Sequence, residues 1–168
     1  MIKKIKLITN LGQSTARNYG VSKANGDYIA FIDSDDEWDS NYLYTQIKFL
    51  KDNNYKACFC KVFLSHMKIF FPTMLNHGTS LSVNEILKNN LIPIPAFITH
   101  KSVLDKIFFN ENLRSLEDWD FFIRILQKTS IHYNNVALVS IYKTYNNVSD
   151  FYQTDHESLQ IIYNSHKN

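Results

Sequence analysis

Cysteine is scarce in this chain, and neither sign of charge predominates. The two cysteines, Cys58 and Cys60, stand two positions apart in a strand-like run, which is too short a loop for an ordinary disulfide. We therefore expect buried, reduced thiols and a cytoplasmic chain. A formal net charge of +2 argues against nucleic acid as a partner, but it is compatible with a position at the inner face of the membrane.

Long apolar runs are also missing. No run approaches the roughly 20 residues that a transmembrane helix needs, and the first residues lack the apolar core of a signal peptide. Glycine and proline are few, with four and three residues, and the sequence contains neither a repeat nor a low-complexity segment. Any association with a membrane is therefore expected to be peripheral.

What the sequence does contain is the pattern of a globular domain. Its 168 residues, 45% of them hydrophobic, suffice for one domain with a hydrophobic core. Strand-like and helix-like segments alternate, which predicts an α/β fold. We expect a domain over residues 1–150, followed by a C-terminal helix or tail over residues 151–168.

Local patterns predict several elements of this domain. The nearly continuous apolar run Asp27–Ile32 predicts a central strand that is buried on both faces. Apolar residues at a spacing of 3.6 predict a helix over Glu117–Lys128, on which Asp120 and Arg124 form a structural i, i+4 pair. The segment Ser82–Glu85 has the form of a capping box at the start of another helix.

Three carboxylates follow the apolar run, in the segment Asp33-Ser34-Asp35-Asp36. Taken alone, this segment is typical of a turn that caps the next helix. At the carboxyl end of a buried strand, however, α/β sheets bind ligands. Clustered carboxylates also suit hard cations such as Mg²⁺ and Mn²⁺, which prefer oxygen ligands. Both interpretations stay open at this point.

Two further segments carry candidate site residues. A glycine-containing loop leads to a helix with Ser14 as its expected N-cap and with Arg17 and Asn18 in its first turns. Helix N-termini and arginine both suit phosphate, although a capped helix with a surface arginine explains the segment equally well. Glu117 and Asp118 complement the dipole of their own helix, and they are also suited to general-base chemistry at a cleft.

In their order and spacing, the three segments resemble the family 2 glycosyltransferases of the GT-A fold. The resemblance lies in Gly-Gln-Ser-Thr-Ala-Arg-Asn-Tyr-Gly from Gly12, in Tyr-Ile-Ala-Phe-Ile-Asp-Ser-Asp-Asp-Glu-Trp from Tyr28, and in Glu-Asp-Trp-Asp from Glu117. The turn at 108–113 is similar to one that such enzymes carry before their Glu-Asp pair. The resemblance covers roughly residues 9–149 and implies a mixed sheet flanked by helices.

This resemblance implies a metal-dependent, inverting transfer of a sugar from a nucleotide diphosphate-sugar to an acceptor hydroxyl. The acceptor would be a glycan or a lipid-linked glycan, in the synthesis of capsule, lipopolysaccharide or glycoprotein. Asp35 and Asp33 would hold Mg²⁺ or Mn²⁺, and Asp33 would also face the nucleotide. Arg17 and Asn18 would lie on the nucleotide side of the site.

The same resemblance assigns the chemical step to the Glu-Asp pair. Asp118 would accept the proton of the acceptor hydroxyl, and Glu117 would orient the site. Attack opposite the leaving group would invert the anomeric carbon.

Two departures from the family pattern modify these expectations. Family members carry a strand-helix-strand unit of about 30 or more residues before the glycine-containing loop, where this sequence has only eight or nine residues. We therefore expect an N-terminally truncated domain, completed by a partner chain or oligomer, or else an inactive remnant. Near the C-terminus, Tyr142-Lys143-Thr144-Tyr145 replaces the usual Tyr-Arg-x-His, so the histidine is lost at Tyr145 while Lys143 keeps a positive charge.

Overall fold

The computed structural model describes residues 4–6, 9–142 and 156–166. Its helices are α1 (Gly12–Lys23), α2 (Tyr42–Asp52), α3 (Val83–Lys88), α4 (Glu117–Leu126) and α5 (His156–His166), with short 3-10 helices over Ile94–Ala96 and Lys101–Leu104. Its strands are β1 (Tyr28–Ala30), β2 (Glu37–Trp38), β3 (Ala57–Leu64), β4 (Ile69–Phe71), β5 (Ser80–Leu81), β6 (Phe97–His100) and β7 (Ile131–Ile141). Helices and strands alternate along the chain, as the sequence predicts.

The strands form one mixed sheet in the order β1-β6-β3-β7-β2, with β4 paired to β3 and β5 paired to β7. β3 and β7 run parallel at its centre, and the other pairs are antiparallel. Phe59 of β3 belongs to the main core with Phe121 and Phe122 of α4, whereas Cys58 packs with Leu50 of α2 in a smaller cluster. Since neighbouring strand residues point to opposite faces, helices cover both faces of the sheet there.

The position of β1 corrects the prediction that Asp27–Ile32 forms a central strand. Among the residues that the structure describes, β1 pairs only with β6 and therefore lies at one end of the sheet. Ile29 is buried, but Ile32 is 47% exposed. An apolar run indicates which side chains are covered, and it does not indicate how many strands pair beside it. The run is therefore compatible with either position.

The first helix also begins earlier than predicted. α1 starts at Gly12, and Ser14 is a buried residue inside it that does not act as its cap. The Asn10 side chain accepts a hydrogen bond from the Gly12 N–H at 3.1 Å. Gly12 itself has φ of +83°, a conformation that favours glycine. The chain therefore turns into α1 through Asn10 and Gly12.

Two other local predictions are confirmed. Ser82 and Glu85 form a reciprocal capping box, in which each side chain accepts a hydrogen bond from the backbone N–H of the other. α4 occupies most of the predicted helix, and Phe122 and Ile123 on its apolar stripe are buried, while Trp119 and Leu126 of the same stripe are half-buried. The sequence predicts both features well because each depends on residues close together in the chain. The cap of α3 is formed by two residues three positions apart, and the buried stripe of α4 follows from its apolar spacing.

The helix α5 contacts α4 through a buried carboxylate. Asp120, 3% exposed, accepts a hydrogen bond from Arg124 Nε at 2.9 Å, which confirms the predicted pair. His166 Nε2 lies 3.0 Å from the other oxygen of Asp120. One carboxylate thus contacts both an i+4 neighbour and the last turn of α5.

The predictions that rest on the few cysteines and on the missing long apolar runs can also be compared with the structure. Cys58 and Cys60 are both buried and free, as expected. Among residues 4–6, 9–142 and 156–166, no helix has the length and apolar character needed to cross a membrane.

Candidate functional site

The segment after β1 brings three carboxylates into a tight turn. The Asp36 N–H donates to the Asp33 carbonyl at 3.2 Å, and the Tyr142 N–H donates to the Asp36 carboxylate at 3.2 Å. Asp33 and Asp36 are half-buried, whereas Asp35 is exposed. Burial, together with the charges of Asp33 and Asp35, raises the pKa of Asp36 to about 6 despite the Tyr142 hydrogen bond. The turn concentrates negative charge that a cation would relieve.

One guanidinium joins this turn to the start of α4. Arg17 Nη2 lies 2.8 Å from Asp33 Oδ1, and Arg17 Nη1 lies 2.7 Å from Glu117 Oε1. The side chains of Arg17 and Glu117 are 12% and 7% exposed, while that of Asp33 is 38% exposed. Although burial opposes its charge, the two carboxylates raise the pKa of Arg17. Two predicted site residues that are distant in sequence, Asp33 and Glu117, therefore both contact the guanidinium of a third, Arg17.

Asn18 holds the neighbouring turn against α1. Its Nδ2 donates to the Phe109 carbonyl at 2.9 Å and to Glu111 Oε1 at 2.8 Å, and its Oδ1 accepts from the Phe109 N–H at 2.7 Å. The Arg17 guanidinium lies over the Phe109 ring at 5.3 Å from its centroid. Asn18 thus satisfies both backbone groups of Phe109, and that residue in turn supports Arg17.

We expect the Asn18→Ala variant to lose about 1–3 kcal/mol of unfolding free energy, because the backbone N–H and carbonyl of Phe109 both lose their partner. Urea unfolding of the purified chain measures this loss. Asn112→Ala, at an exposed position in the same turn, is the matched control, and its expected change is under about 0.5 kcal/mol. Equal changes in the two variants would show that Asn18 does not hold the turn.

The Glu-Asp pair stands at an abrupt helix start. Leu116, just before α4, has φ of 59° in the left-handed region, and no side chain caps the helix. Glu117 and Asp118 fill its first turn, where backbone N–H groups favour carboxylates. Asp118 Oδ1 accepts from the Trp119 N–H at 2.7 Å, and its Oδ2 accepts from Asn90 Nδ2 at 3.2 Å. The Asp118 carboxylate is therefore held at both oxygens.

The environment of Asp118 brings its titration close to neutrality. Burial is the main cause, and the neighbouring Glu117 charge adds to it, so that the pKa of Asp118 rises to about 6. The hydrogen bonds from Trp119 and Asn90 and the charge of Arg17 act in the opposite direction. A carboxyl group that is ionised at neutral pH, yet more basic than a free aspartate, is suited to accept a proton.

The structure brings together most of the predicted site residues. Arg17, Asp33 and Glu117 are in direct contact, and Asp118 lies beside them in the same helical turn. Asp35, by contrast, is exposed and has no side-chain hydrogen bond to another described residue. Its free oxygens would be available to a ligand.

Sequence reasoning did not find Asn90. It donates to Asp118, and its own Oδ1 is buried without a partner among the described residues. Asn90 follows α3 with no motif around it, so the sequence carries no signal for this contact.

Lys143 and Tyr145, where the sequence departs from the family pattern, lie outside the described residues.

Metal ligation by the protein alone finds little support in the arrangement of side chains. In the described parts of the chain, no group of three or more histidine, cysteine, aspartate or glutamate side chains is placed to hold an ion. Asp33 has one oxygen engaged by Arg17, while Asp35 is free. Such a donor set fits a cation that takes one or two carboxylates and fills its other positions with water or phosphate, as Mg²⁺ commonly does.

The sequence profile of glycosyl transferase family 2 matches residues 1–109. An uncharacterized glycosyltransferase of Rickettsia bellii is 34% identical over 119 residues, which are 69% of this chain and 17% of that protein. The enzyme WfgD of Escherichia coli is 28% identical over 147 residues, 81% of this chain and 54% of its own length. Its name describes a UDP-Glc:alpha-D-GlcNAc-diphosphoundecaprenol beta-1,3-glucosyltransferase.

A solved structure shares the fold. Residues 1–349 of TarS from S. aureus, crystallised with UDP-GlcNAc, superpose with a TM-score of 0.74 at 20% identity, over 90% of this chain and 46% of that 1–349 chain. The match confirms the expected GT-A fold. The chain spans about half the length of WfgD and of that TarS structure, and a smaller part of the rickettsial protein.

Proposed function

This chain belongs to glycosyl transferase family 2, and on that basis we propose that it transfers a sugar from a nucleotide diphosphate-sugar to an acceptor hydroxyl. The observation that carries the proposal is the contact of Arg17 with both Asp33 and Glu117. This contact sets the acidic turn beside the Glu117-Asp118 pair. On this proposal, the acidic turn supplies the cation-binding group and Asp118 supplies the base, two functions that transfer from a diphosphate needs at one site.

Asp118 is the proposed base. In the transfer step, the acceptor oxygen forms a bond to the anomeric carbon while the bond from that carbon to the diphosphate oxygen breaks. The acceptor proton passes to an Asp118 carboxylate oxygen, and the nucleotide diphosphate leaves with the electron pair. Attack from the side opposite the leaving group inverts the anomeric carbon. Glu117 contributes by holding Arg17 and by raising the pKa of Asp118.

Asp35, with Asp33 beside it, is the proposed ligand pair for Mg²⁺ or Mn²⁺. When bound, such an ion would neutralise the charge that develops on the departing diphosphate. The exposed Asp35 carboxylate suits an ion that is coordinated partly by the protein and partly by the substrate phosphates.

The donor side is assigned to Arg17, Asn18 and Asp33, and the donor to the class of uridine diphosphate-sugars. TarS was crystallised with UDP-GlcNAc, and the name of WfgD contains UDP-Glc, which together favour a uridine nucleotide. The WfgD name also contains a lipid-linked sugar acceptor, so we propose a glycan or lipid-linked glycan acceptor in surface polysaccharide synthesis. On this proposal, the reaction would take place in the cytoplasm, at the inner face of the membrane.

Calorimetry of the purified chain with UDP and Mn²⁺ tests this proposal. We expect binding that requires Mn²⁺ and that weakens at least about tenfold in Asp35→Ala, because the only free carboxylate of the turn is removed. Asp105→Ala, at another exposed aspartate, is the control and should leave the affinity unchanged. Binding that is indifferent to Mn²⁺, or equal in the two variants, would contradict the metal assignment.

A further inference from the structure

A groove opens on the sheet beside the acidic turn, and the proposed chemistry does not use it. It has a volume of about 340 Å³ and is lined by Phe63, Phe70, Glu37, Trp38 and Asp39 and by residues 137–140 of β7. We call it the aromatic groove. Its volume lies at the lower end of the range for small-molecule sites.

The strand register explains why these side chains share one surface. Phe70 of β4 lies opposite Phe63 of β3, Phe63 lies opposite Ser140 of β7, and Ser140 lies opposite Glu37 of β2. Residues opposite each other on paired strands point to the same face of a sheet. Four strands therefore present one row that runs from two phenylalanines through a hydroxyl to a carboxylate.

The two ends of this row differ in chemistry. The rings of Phe63 and Phe70 lie 5.3 Å apart at an angle of 53°, and Phe70 is 50% exposed. At the other end, Glu37 and Asp39 are both exposed. Each has one oxygen occupied, Glu37 by the Tyr142 hydroxyl at 3.2 Å and Asp39 by the Asn41 N–H at 2.8 Å. An apolar platform thus lies at one end of the row, and a pair of carboxylate acceptors lies at the other end.

This combination restricts what can bind. None of the lining residues is cationic, so the two carboxylates disfavour phosphate, nucleotide or an anionic lipid surface. An apolar helix or acyl chain would remove the carboxylates from water without compensation. A pyranose sugar suits both ends, because its C–H face can cover an aromatic ring while its hydroxyls donate to carboxylates, which only accept.

We propose that the aromatic groove is a carbohydrate site, distinct from the donor site, that holds a neutral sugar unit of the acceptor glycan. Its role as an acceptor site rests on the proposed function. Tyr142 links the two regions, since its N–H donates to Asp36 in the acidic turn and its hydroxyl donates to Glu37 in the groove. A sugar that contacts Glu37 would therefore lie next to the segment that carries the proposed metal ligands.

Saturation-transfer NMR with methyl β-glucopyranoside and methyl N-acetyl-β-glucosaminide, in excess over the purified chain, tests the proposal. We expect transfer to the ring protons of at least one glycoside, weakened about threefold to tenfold in Phe70→Ala and also weakened in Glu37→Gln. The control is Tyr44→Ala, which removes an exposed aromatic ring on α2, outside the groove. UDP and Mn²⁺ binding is measured on the same samples and should be unchanged in Phe70→Ala.

The outcomes separate this inference from the proposed function. Saturation transfer that is lost in Phe70→Ala but kept in Tyr44→Ala supports the groove as a sugar site. No transfer, or equal transfer in both variants, overturns it, and intact UDP binding would then leave the transfer function standing. Self-association that disappears in Phe70→Ala by light scattering, without glycoside binding, overturns the inference in favour of a second copy of the chain.

Discussion

Replacing Arg17 by alanine is expected to lower the free energy of unfolding by about 3 kcal/mol. Glu117 is 5% exposed, and without Arg17 its carboxylate would keep little compensation for burial. Removing one partner of a buried ion pair typically costs about 3–5 kcal/mol, because the remaining charge is left unpaired. The lower end of this range applies here, because the Asp33 side chain is 38% exposed and water can replace the hydrogen bond that it loses from Arg17.

Urea unfolding of Arg17→Ala measures this loss, and Arg114→Ala, at an exposed arginine, provides the control for loss of one positive charge. In the double variant Arg17→Ala/Glu117→Gln, much of the stability should return, because the buried charge is removed together with its partner. Arg17→Lys should fall in between, since an ammonium lacks the planar fork that spans two carboxylates. A loss below about 1 kcal/mol in Arg17→Ala would contradict a buried, essential contact.

The role of Arg17 shows how far the sequence could predict the site. Its place at the start of a helix after a glycine-containing loop suggested phosphate, and the family resemblance suggested the nucleotide side. The structure shows instead that two of its nitrogens contact Asp33 and Glu117. These partners lie 16 and 100 positions away. Because no local pattern encodes such a pairing, the contact required the folded chain, and the nucleotide role remains a prediction.

Elements with local causes were easier to predict than the sheet that joins them. The capping box of Ser82 and Glu85 and the apolar stripe of α4 depend on residues within a few positions of one another. The place of β1 at one end of the described sheet depends on β6, some seventy positions later. The aromatic groove is likewise a product of register, since Phe63 and Glu37 belong to strands separated by β7.

Asp33 connects the structural contact with the proposed chemistry. Its Oδ1 contacts Arg17, so a cation at Asp35 would meet a carboxylate whose charge is already partly neutralised. This favours Asp35 as the stronger ligand and Asp33 as a residue that shares its charge between the guanidinium and the ion. On the proposed assignment, the turn would bind a cation while Asp33 keeps its contact with Arg17 and, through it, with α4.

Replacing Asp118 by asparagine is expected to make the protein more stable and to abolish transfer. The folded pKa of Asp118 is raised to about 6 from the usual 3.8, so folding favours its protonated form. Its favourable contribution is complete below the unfolded pKa and is lost as the pH rises through about 6. At neutral pH the ionised carboxylate thus destabilises the fold by up to about 3 kcal/mol. Asparagine carries no charge and therefore removes this destabilisation.

Urea unfolding at a series of pH values distinguishes this effect from a general stabilisation. The difference between Asp118→Asn and the unmodified chain should be small near about pH 4 and should grow to about 2–3 kcal/mol near about pH 7.5. The raised pKa of Asp36 acts in the same direction, but it is present in both proteins and cancels. Asp105→Asn, at an exposed aspartate, should show no such dependence on pH.

The geometry of the site favours this variant as a clean test of the base. Asparagine has nearly the shape of aspartate, so its carbonyl oxygen can still accept from the Trp119 N–H. Its amide takes the place of the oxygen that accepts from Asn90 Nδ2, and rotation of the Asn90 amide by 180° lets it donate to Asn90 Oδ1, which lacks a partner among the described residues. Removal of a general base typically lowers the rate about 10²–10⁴-fold, and binding of UDP with Mn²⁺ should stay unchanged. Transfer within tenfold of the unmodified rate would place the base on another residue, whereas a stable variant that binds donor and fails to transfer would identify Asp118 as the group that accepts the proton.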